Sequence, residues 1–183
     1  GLAINMAQCY IAKGFTAKSR PLLDQSLRIA QRIAMPDREA EALLYLAIAN
    51  RATSPEEALQ QLLKATAITD KFQLTVLGWE TWYELGEFYY LRNDFTNAIA
   101  AYKKAVSQIE KNSANIYGGE TARKTYQASG KKPLLYTRLI SALSATGATE
   151  EAWAFAQKTQ QEAIKDLLGG LNADASSEEK AQA

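Results

Sequence analysis

Glu80, Glu84 and Glu87 are the residues of this chain whose type and spacing could do chemistry. Steps of four and three put three carboxylates on one helix face, and paired carboxylates can share acid–base work or hold a cation. Nothing else in the sequence completes such a site. The chain has no histidine, which removes Ser-His and Cys-His nucleophile pairs, the HExxH zinc site and the usual imidazole base. No glycine-rich phosphate loop occurs, and the glycine pairs lack the flanking lysine or serine that a phosphate cradle needs. The triplet therefore reads as a solvated or groove-lining face, with no catalytic residue, metal or cofactor expected and no enzymatic activity in this segment. Cys9 is the single cysteine, which excludes an internal disulfide. Its flanks, Met6-Ala7 and Tyr10-Ile11, predict a small buried thiol.

Lysine and arginine total 21 against 20 aspartates and glutamates, a net charge of +1. No global field therefore draws the chain to nucleic acid or to an anionic membrane. The local exception is SANIYGGETARKTYQASGKK, residues 113–132. Arg123, Lys124, Lys131 and Lys132 interleave there with Tyr117 and Tyr126, a pattern that could contact nucleic acid or could belong to a packed extra helix. No apolar run approaches the roughly 18 residues of a membrane span. The chain opens inside a helical pattern without an initiating methionine and reads as a segment of a longer protein.

The elements that must position these residues are helical. Gly14, Pro36, Pro55, Gly78, Gly118, Gly119, Gly130, Pro133, Gly147, Gly169 and Gly170 punctuate windows rich in alanine, leucine, glutamine, glutamate and lysine. Ser54-Pro55-Glu56-Glu57 has a capping serine, proline at the first helical position and a carboxylate three residues after the cap, so a helix starts there. Gly147 followed by Thr149-Glu150-Glu151 marks a left-handed helix end and a new first turn. No stretch alternates apolar and polar for long with β-branched residues. The fold class is all-α.

A repeat runs through these helices. Ser19-x3-Leu23-x2-Ser26, Ala58-x3-Leu62-x2-Ala65, Ala98-x3-Tyr102-x2-Ala105 and Ala152-x3-Ala156-x2-Thr159 share a small, mostly bulky, small pattern with leading residues 39, 40 and 54 apart. Upstream of the third lies Trp82-x2-Leu85-Gly86-x2-Tyr89. Together with Ala98, Tyr102 and Ala105 it resembles the tetratricopeptide repeat, W-x2-L-G-x2-Y followed by A, an aromatic and a small residue. Weaker copies are Ala3, Met6-Ala7 and Tyr10; Leu43, Leu46-Ala47 and Asn50; and Tyr136, Leu139-Ile140 and Leu143. The resemblance implies an α-solenoid of four antiparallel hairpins: residues 1–35, 37–72, 76–112 and 133–168, with an insertion at 113–132 and a flexible tail or linker at 169–183. Glu110 replaces the usual final proline, and the period exceeds the familiar one of about 34 residues, so longer helices are expected.

Small residues then answer a packing need, because two helices approach closely only where a side chain is short. Ala7, Ala58, Ala65, Gly86, Ala98, Ala105 and Ala152 supply the approach, and Gly147 the last turn. Tyr10, Trp82, Leu85, Tyr89 and Tyr102 fill the space beside them, and Trp79, Trp82 and Trp153 are expected in the core.

Repeats of this kind form a concave surface from their first helices and bind protein segments there. Projected away from the packing positions, that surface takes Ile4, Gln8 and Ile11; Leu44, Ile48 and Arg51; Tyr83, Glu87 and Tyr90; and Thr137, Ser141 and Ser144. The expected groove is apolar and aromatic, suited to a helix or extended segment with apolar anchors. Relatives that hold acidic chaperone tails use a clamp of lysines, asparagine and arginine; Ile4, Leu44 and Tyr83 stand in the comparable places here. Tyr83 and Tyr90 either line the groove or cover a neighbouring repeat or a further domain. The last quarter, KPLLYTRLISALSATGATEEAWAFAQKTQQEAIKDLLGG, is similar to the repeat that precedes the caspase-like domain of CHAT-type bacterial peptidases. That resemblance implies a sensing or recruiting arm whose protease lies outside this sequence. The expected function is a protein-interaction scaffold with a protein or peptide partner and no membrane role, contact with nucleic acid being a lesser alternative.

Overall fold

The computed structural model describes residues 1–114 and 130–161. Among these residues there is helix and turn and no strand. The helices are α1 (Leu2–Ala12), α2 (Thr16–Arg32), α3 (Pro36–Asn50), α4 (Pro55–Lys71), α5 (Thr75–Tyr90), α6 (Phe95–Ala114) and α7 (Lys132–Ala145), with a further helical stretch α8 over 149–161. The chain divides into two compact units, Gly1–Ile116 and Tyr117–Ala183. Arg123, Lys124, Tyr117 and Tyr126 of the expected insertion, the leucine pair Leu167-Leu168 and the tail from 169 lie outside the described residues.

Helix starts follow local chemistry. Pro36 and Pro55 occupy the first helical position, where a missing N–H costs nothing. Asp37, Glu39, Glu56 and Glu57 place negative charge at the positive end of the helix dipole. Ser54 departs from expectation: its hydroxyl makes no capping hydrogen bond. Its backbone carbonyl accepts the Ala58 N–H at 3.0 Å, so the main chain and the proline set the start.

Five of the helix ends share one device, α3 ending instead with Arg51 in right-handed conformation. Gly14, Ala34, Gln73, Asn93 and Gly147 all take left-handed φ values, between 53° and 77°. After each, an N–H reaches back five residues: Phe15 to Tyr10, Met35 to Ala30, Leu74 to Thr69, Asp94 to Tyr89 and Ala148 to Leu143, at 2.8–3.1 Å. Glycine marks two of these stops and asparagine, which tolerates the conformation, a third; at exposed Ala34 and Gln73 the chain takes it without either residue. Gly78 is the converse, a glycine expected at a break that lies buried inside α5. α2 likewise runs on through Pro21 and forgoes one ladder bond.

In the first unit each helix packs on the next, and α1 also touches α3, as α3 touches α5. The first helices of the hairpins therefore form one layer, and α2, α4 and α6 the other. Two apolar clusters bind the layers. Ile4 and Ala7 of α1, Leu23 of α2, and Ala42 and Leu46 of α3 make one. Leu44, Ala47, Ala58, Leu62, Leu85, Phe88 and Ala101 make the next, across α3 to α6. In the second unit, α7 buries Leu135, Leu139, Ala142 and Leu143, turns at Gly147, and α8 buries Ala152.

Two expected core residues are exposed. Cys9 is at the surface because α1 packs through Ile4 and Ala7, and a residue two positions past Ala7 points to the opposite side of the helix. Trp153 is 66% exposed; Ala152 faces inward, and its immediate neighbour is rotated off that face.

Candidate interaction surface

The layer of first helices carries the expected concave positions, and the structure divides them. Ile4, Leu44 and Tyr83 are core residues, 2%, 1% and 3% exposed, so they cannot act as anchors on a surface. Adjacent first helices press on one another through these positions: Ile4 against Ala42 and Leu46, Leu44 against Leu85 and Phe88. Tyr83 stacks between Trp79 and Tyr102, with ring centroids 6.5 and 6.2 Å away. Glu87 is also buried and accepts a hydrogen bond from the Tyr102 hydroxyl at 2.5 Å. Ile11 and Ile48 are half-buried against the two clusters, and Tyr90 leans edge-on to Phe95 at 5.5 Å. Gln8 and Arg51 keep part of their surface in water. Thr137, Ser141 and Ser144 are exposed on α7 in the second unit, where the Thr137 and Ser144 hydroxyls donate to the Pro133 and Ile140 carbonyls.

The positions assigned to packing distribute more simply. Ala7, Ala58, Ala65, Leu85, Gly86, Ala98, Tyr102, Ala105 and Ala152 are buried. Tyr10, Trp82 and Tyr89 are half-buried and Gly147 is an exposed turn. Trp82 donates its indole N–H to Asp70 at 3.1 Å.

The acidic triplet disperses. Glu84 pairs with Arg51 at the end of α3, Glu87 bonds Tyr102, and Glu80 faces an open cavity of about 520 Å³ between the first turns of α3 and α5. Among the described residues no group of three metal-ligating side chains is arranged to hold an ion. Lys132 of the expected basic patch is 2% exposed, which withdraws it from any phosphate contact.

That cavity escaped the sequence reading. Asp37, Arg38, Glu41 and Tyr45 line it from α3; Leu74, Val76, Leu77 and Glu80 line it from the α4–α5 turn and α5. Asp37, Glu41 and Tyr45 recur every four residues, a stripe that the packing alignment passed over because it shares no position with the small-residue pattern. Arg38 donates to Glu41 at 2.8 Å and lies 3.5 Å from Asp37, and the Glu41 hydrogen bond raises the Arg38 pKa. Two of the cavity's three carboxylates thus pair with its one guanidinium, with apolar Leu74, Val76 and Leu77 beside them. Of the aromatics expected in the groove, Tyr83 is in the core and Tyr90 is half-buried, and the open cavity of the layer is lined by Tyr45, charged residues and an apolar edge.

Tyr45 registers this field. Burial first, then Glu80, Glu41 and Glu84, push its phenol up to about 12, against a smaller opposing hydrogen bond from Gln8. A phenol that keeps its proton longer in the folded chain stabilises it below the unfolded value near 10, and that contribution fades as pH rises from about 10 to about 12. Difference ultraviolet titration against Tyr45→Phe should show this late ionisation. Glu80→Gln should shift it down only in part, since burial is the larger cause; a Tyr45 signal at the ordinary tyrosine value would contradict the geometry.

Antiparallel hairpins whose first and second helices segregate into two layers define a helical-repeat protein. The chain belongs to the tetratricopeptide repeat family, which it matches over residues 2–71 and again over 79–112, together more than half of its length. It is 34% identical over 76 residues to the formate-dependent nitrite reductase complex subunit NrfG of Escherichia coli O157:H7, a match that takes in 42% of this chain. It spans about a third of that relative, 35% of its length. Among solved structures it is similar to BtubC (BKLC) from P. vanneervenii, with a TM-score of 0.68 and 17% identity over 88% of this chain and 61% of that one. Nearly identical TPR-like repeats from Podosopora anserina align with a TM-score of 0.53 and 16% identity, over 89% of this chain and 94% of that one. These likenesses agree with an all-α, tetratricopeptide-like solenoid. No described helix is long and apolar enough to cross a membrane.

Proposed function

We propose that this segment is a non-catalytic protein-interaction scaffold that takes a protein or peptide segment along the layer formed by α1, α3 and α5. The observation that carries the reading is the open cavity between α3 and α5, where Asp37, Glu41 and Glu80 stand beside Leu74, Val76 and Leu77. Carboxylates at a partly dry edge favour a cation, and the adjoining apolar strip favours a short hydrophobic anchor. The best ligand is therefore a segment with lysine or arginine next to an apolar residue. An acidic tail is disfavoured, because the cavity's three carboxylates outnumber its one guanidinium. That NrfG is a subunit of a complex agrees with a role in assembly.

Peptides selected from a random display library on the intact chain provide the test, rebound to Glu41→Lys/Glu80→Lys after circular dichroism shows unchanged helicity. Enriched sequences should carry a basic residue beside an apolar one and lose affinity about tenfold to a hundredfold, as expected for reversing two charges at an interface. Selected peptides that bind the reversed variant equally well would remove the cavity from the reading.

A further inference from the structure

The cavity between α3 and α5 already holds a cation of the chain's own. Arg38 reaches Glu41 at 2.8 Å through Nη1 and Asp37 at 3.5 Å through Nε, while Leu74, Val76 and Leu77 line the same cavity from the α4–α5 turn and α5. A guanidinium beside an apolar strip is the chemistry that this cavity would draw from a partner segment. The corresponding place on α5 carries no cation. With Leu43 set against Trp82, residues Asp37, Arg38 and Glu41 of α3 correspond to Val76, Leu77 and Glu80 of α5. The carboxylate recurs, whereas Leu77 stands in place of the arginine and packs against the core cluster of α3 to α6. Packing of the repeat therefore does not require a guanidinium here.

Helix stability does not require it either. Arg38 lies in the first turn of α3, where the helix dipole disfavours a cation, and it precedes Glu41 by three residues, the less favourable order for a pair on one helix. The side chains of Arg38, Asp37 and Glu41 are 45%, 49% and 19% exposed. Ion pairs this open to water are weak and exchange partners without disturbing the fold. An incoming lysine or arginine needs the same two carboxylates, and whichever cation takes them returns the other to solvent.

From this geometry, and resting on the proposed use of the cavity as a partner site, we infer that Arg38 is an internal competitor: it occupies Asp37 and Glu41 until a partner's basic residue displaces it. Arg38 thereby sets how strongly that basic residue is selected. A partner's cation alone exchanges one ion pair for a similar one and gains little. The apolar neighbour of that cation, buried on Leu74, Val76 and Leu77, adds a gain that displacement of Arg38 does not cancel.

The test runs the display selection in parallel on the intact chain and on Arg38→Met, after circular dichroism shows equal helicity. One enriched peptide is then titrated into both chains, together with its analogue in which methionine replaces the basic residue. Arg38→Met should enrich basic-apolar sequences more strongly and bind the enriched peptide about threefold to fivefold tighter, the scale of a half-exposed ion pair. The methionine analogue should bind both chains alike. Loss of any nearby positive charge would produce part of that gain, so a second readout follows Arg38 itself. Its Nε–H resonance, assigned by its disappearance in Arg38→Met, should exchange faster with water when the intact chain binds the peptide and stay unchanged with the methionine analogue. Equal affinity of the two chains for the peptide, or an Nε–H exchange rate that the peptide does not alter, overturns the competitor and leaves the cavity standing as a partner site. Failure of both selections to enrich basic residues overturns both.

Discussion

Replacing Gly86 with leucine should lower the stability of the chain by about 3 kcal/mol, the upper end of the overpacking range. The melting midpoint should fall by roughly 6–12 °C, at 2–4 °C per kcal/mol for a chain of this size. A Cβ at Gly86 would fall well inside van der Waals contact of Cδ1 and Cε1 of Tyr102, and 3.1 Å from Cγ. The ring cannot retreat. Tyr102 is fully buried, flanked by Tyr83 and Tyr90 and held through its hydroxyl by Glu87. Alanine at Gly86 should already destabilise, despite the roughly 0.5–1 kcal/mol it gains in helix propensity. Gly78 provides the contrast on the same helix, because a Cβ there would meet Gln108 and Thr69 no closer than 3.6 Å. Gly78→Ala should therefore be neutral or slightly stabilising. Thermal denaturation of the three variants decides it: equal midpoints would mean that the α5–α6 contact is not as close as described.

Arg51→Met should be the other large effect, a loss of about 2–3 kcal/mol. Arg51 ends α3 and its guanidinium reaches across to Glu84 of α5, tying the second hairpin to the third. The two side chains are 23% and 5% exposed. Removing one partner of a buried pair typically costs about 3–5 kcal/mol, mostly because the other charge remains without compensation, and the partial exposure of Arg51 lowers that figure. If the charge on Glu84 is the cause, Arg51→Met/Glu84→Gln should regain most of the loss. Urea denaturation of the two single variants and the double variant gives the coupling directly. Additive losses would mean that Arg51 contributes through packing of its stem, without the ion pair.

Both predictions show how far the sequence reached. Trp82-x2-Leu85-Gly86-x2-Tyr89 followed by Ala98 and Tyr102 was enough to place a close helix crossing, since a glycine that weakens a helix is retained only where another backbone or ring must come near. The periodic small residues gave the hairpins and their order for the same reason: burial of a helix face is written in the spacing of its side chains. Proline at the first helical position marked where α4 begins. Helix ends at Ala34 and Gln73 were not legible, because neither residue type signals a left-handed conformation; Asn93 did carry a signal, since asparagine tolerates it.

The surface was the harder part. Projection of one helix gives a direction and not a distance to the next helix, so it could not show that Ile4 and Leu44 are covered by adjacent first helices and Tyr83 by Trp79 and Tyr102 of its own hairpin. Cys9 and Trp153 failed the opposite way, as apolar residues whose faces no described element covers. The acidic cavity needed α3 and α5 side by side, because Glu41 and Glu80 are distant in sequence and neither stripe is unusual alone. By itself, then, the sequence determined the helical repeat, its crossing points and the absence of histidine-dependent chemistry, all of which depend on local spacing and composition. Only the tertiary structure decided which residues remain in contact with water, because exposure depends on what the neighbouring helices cover.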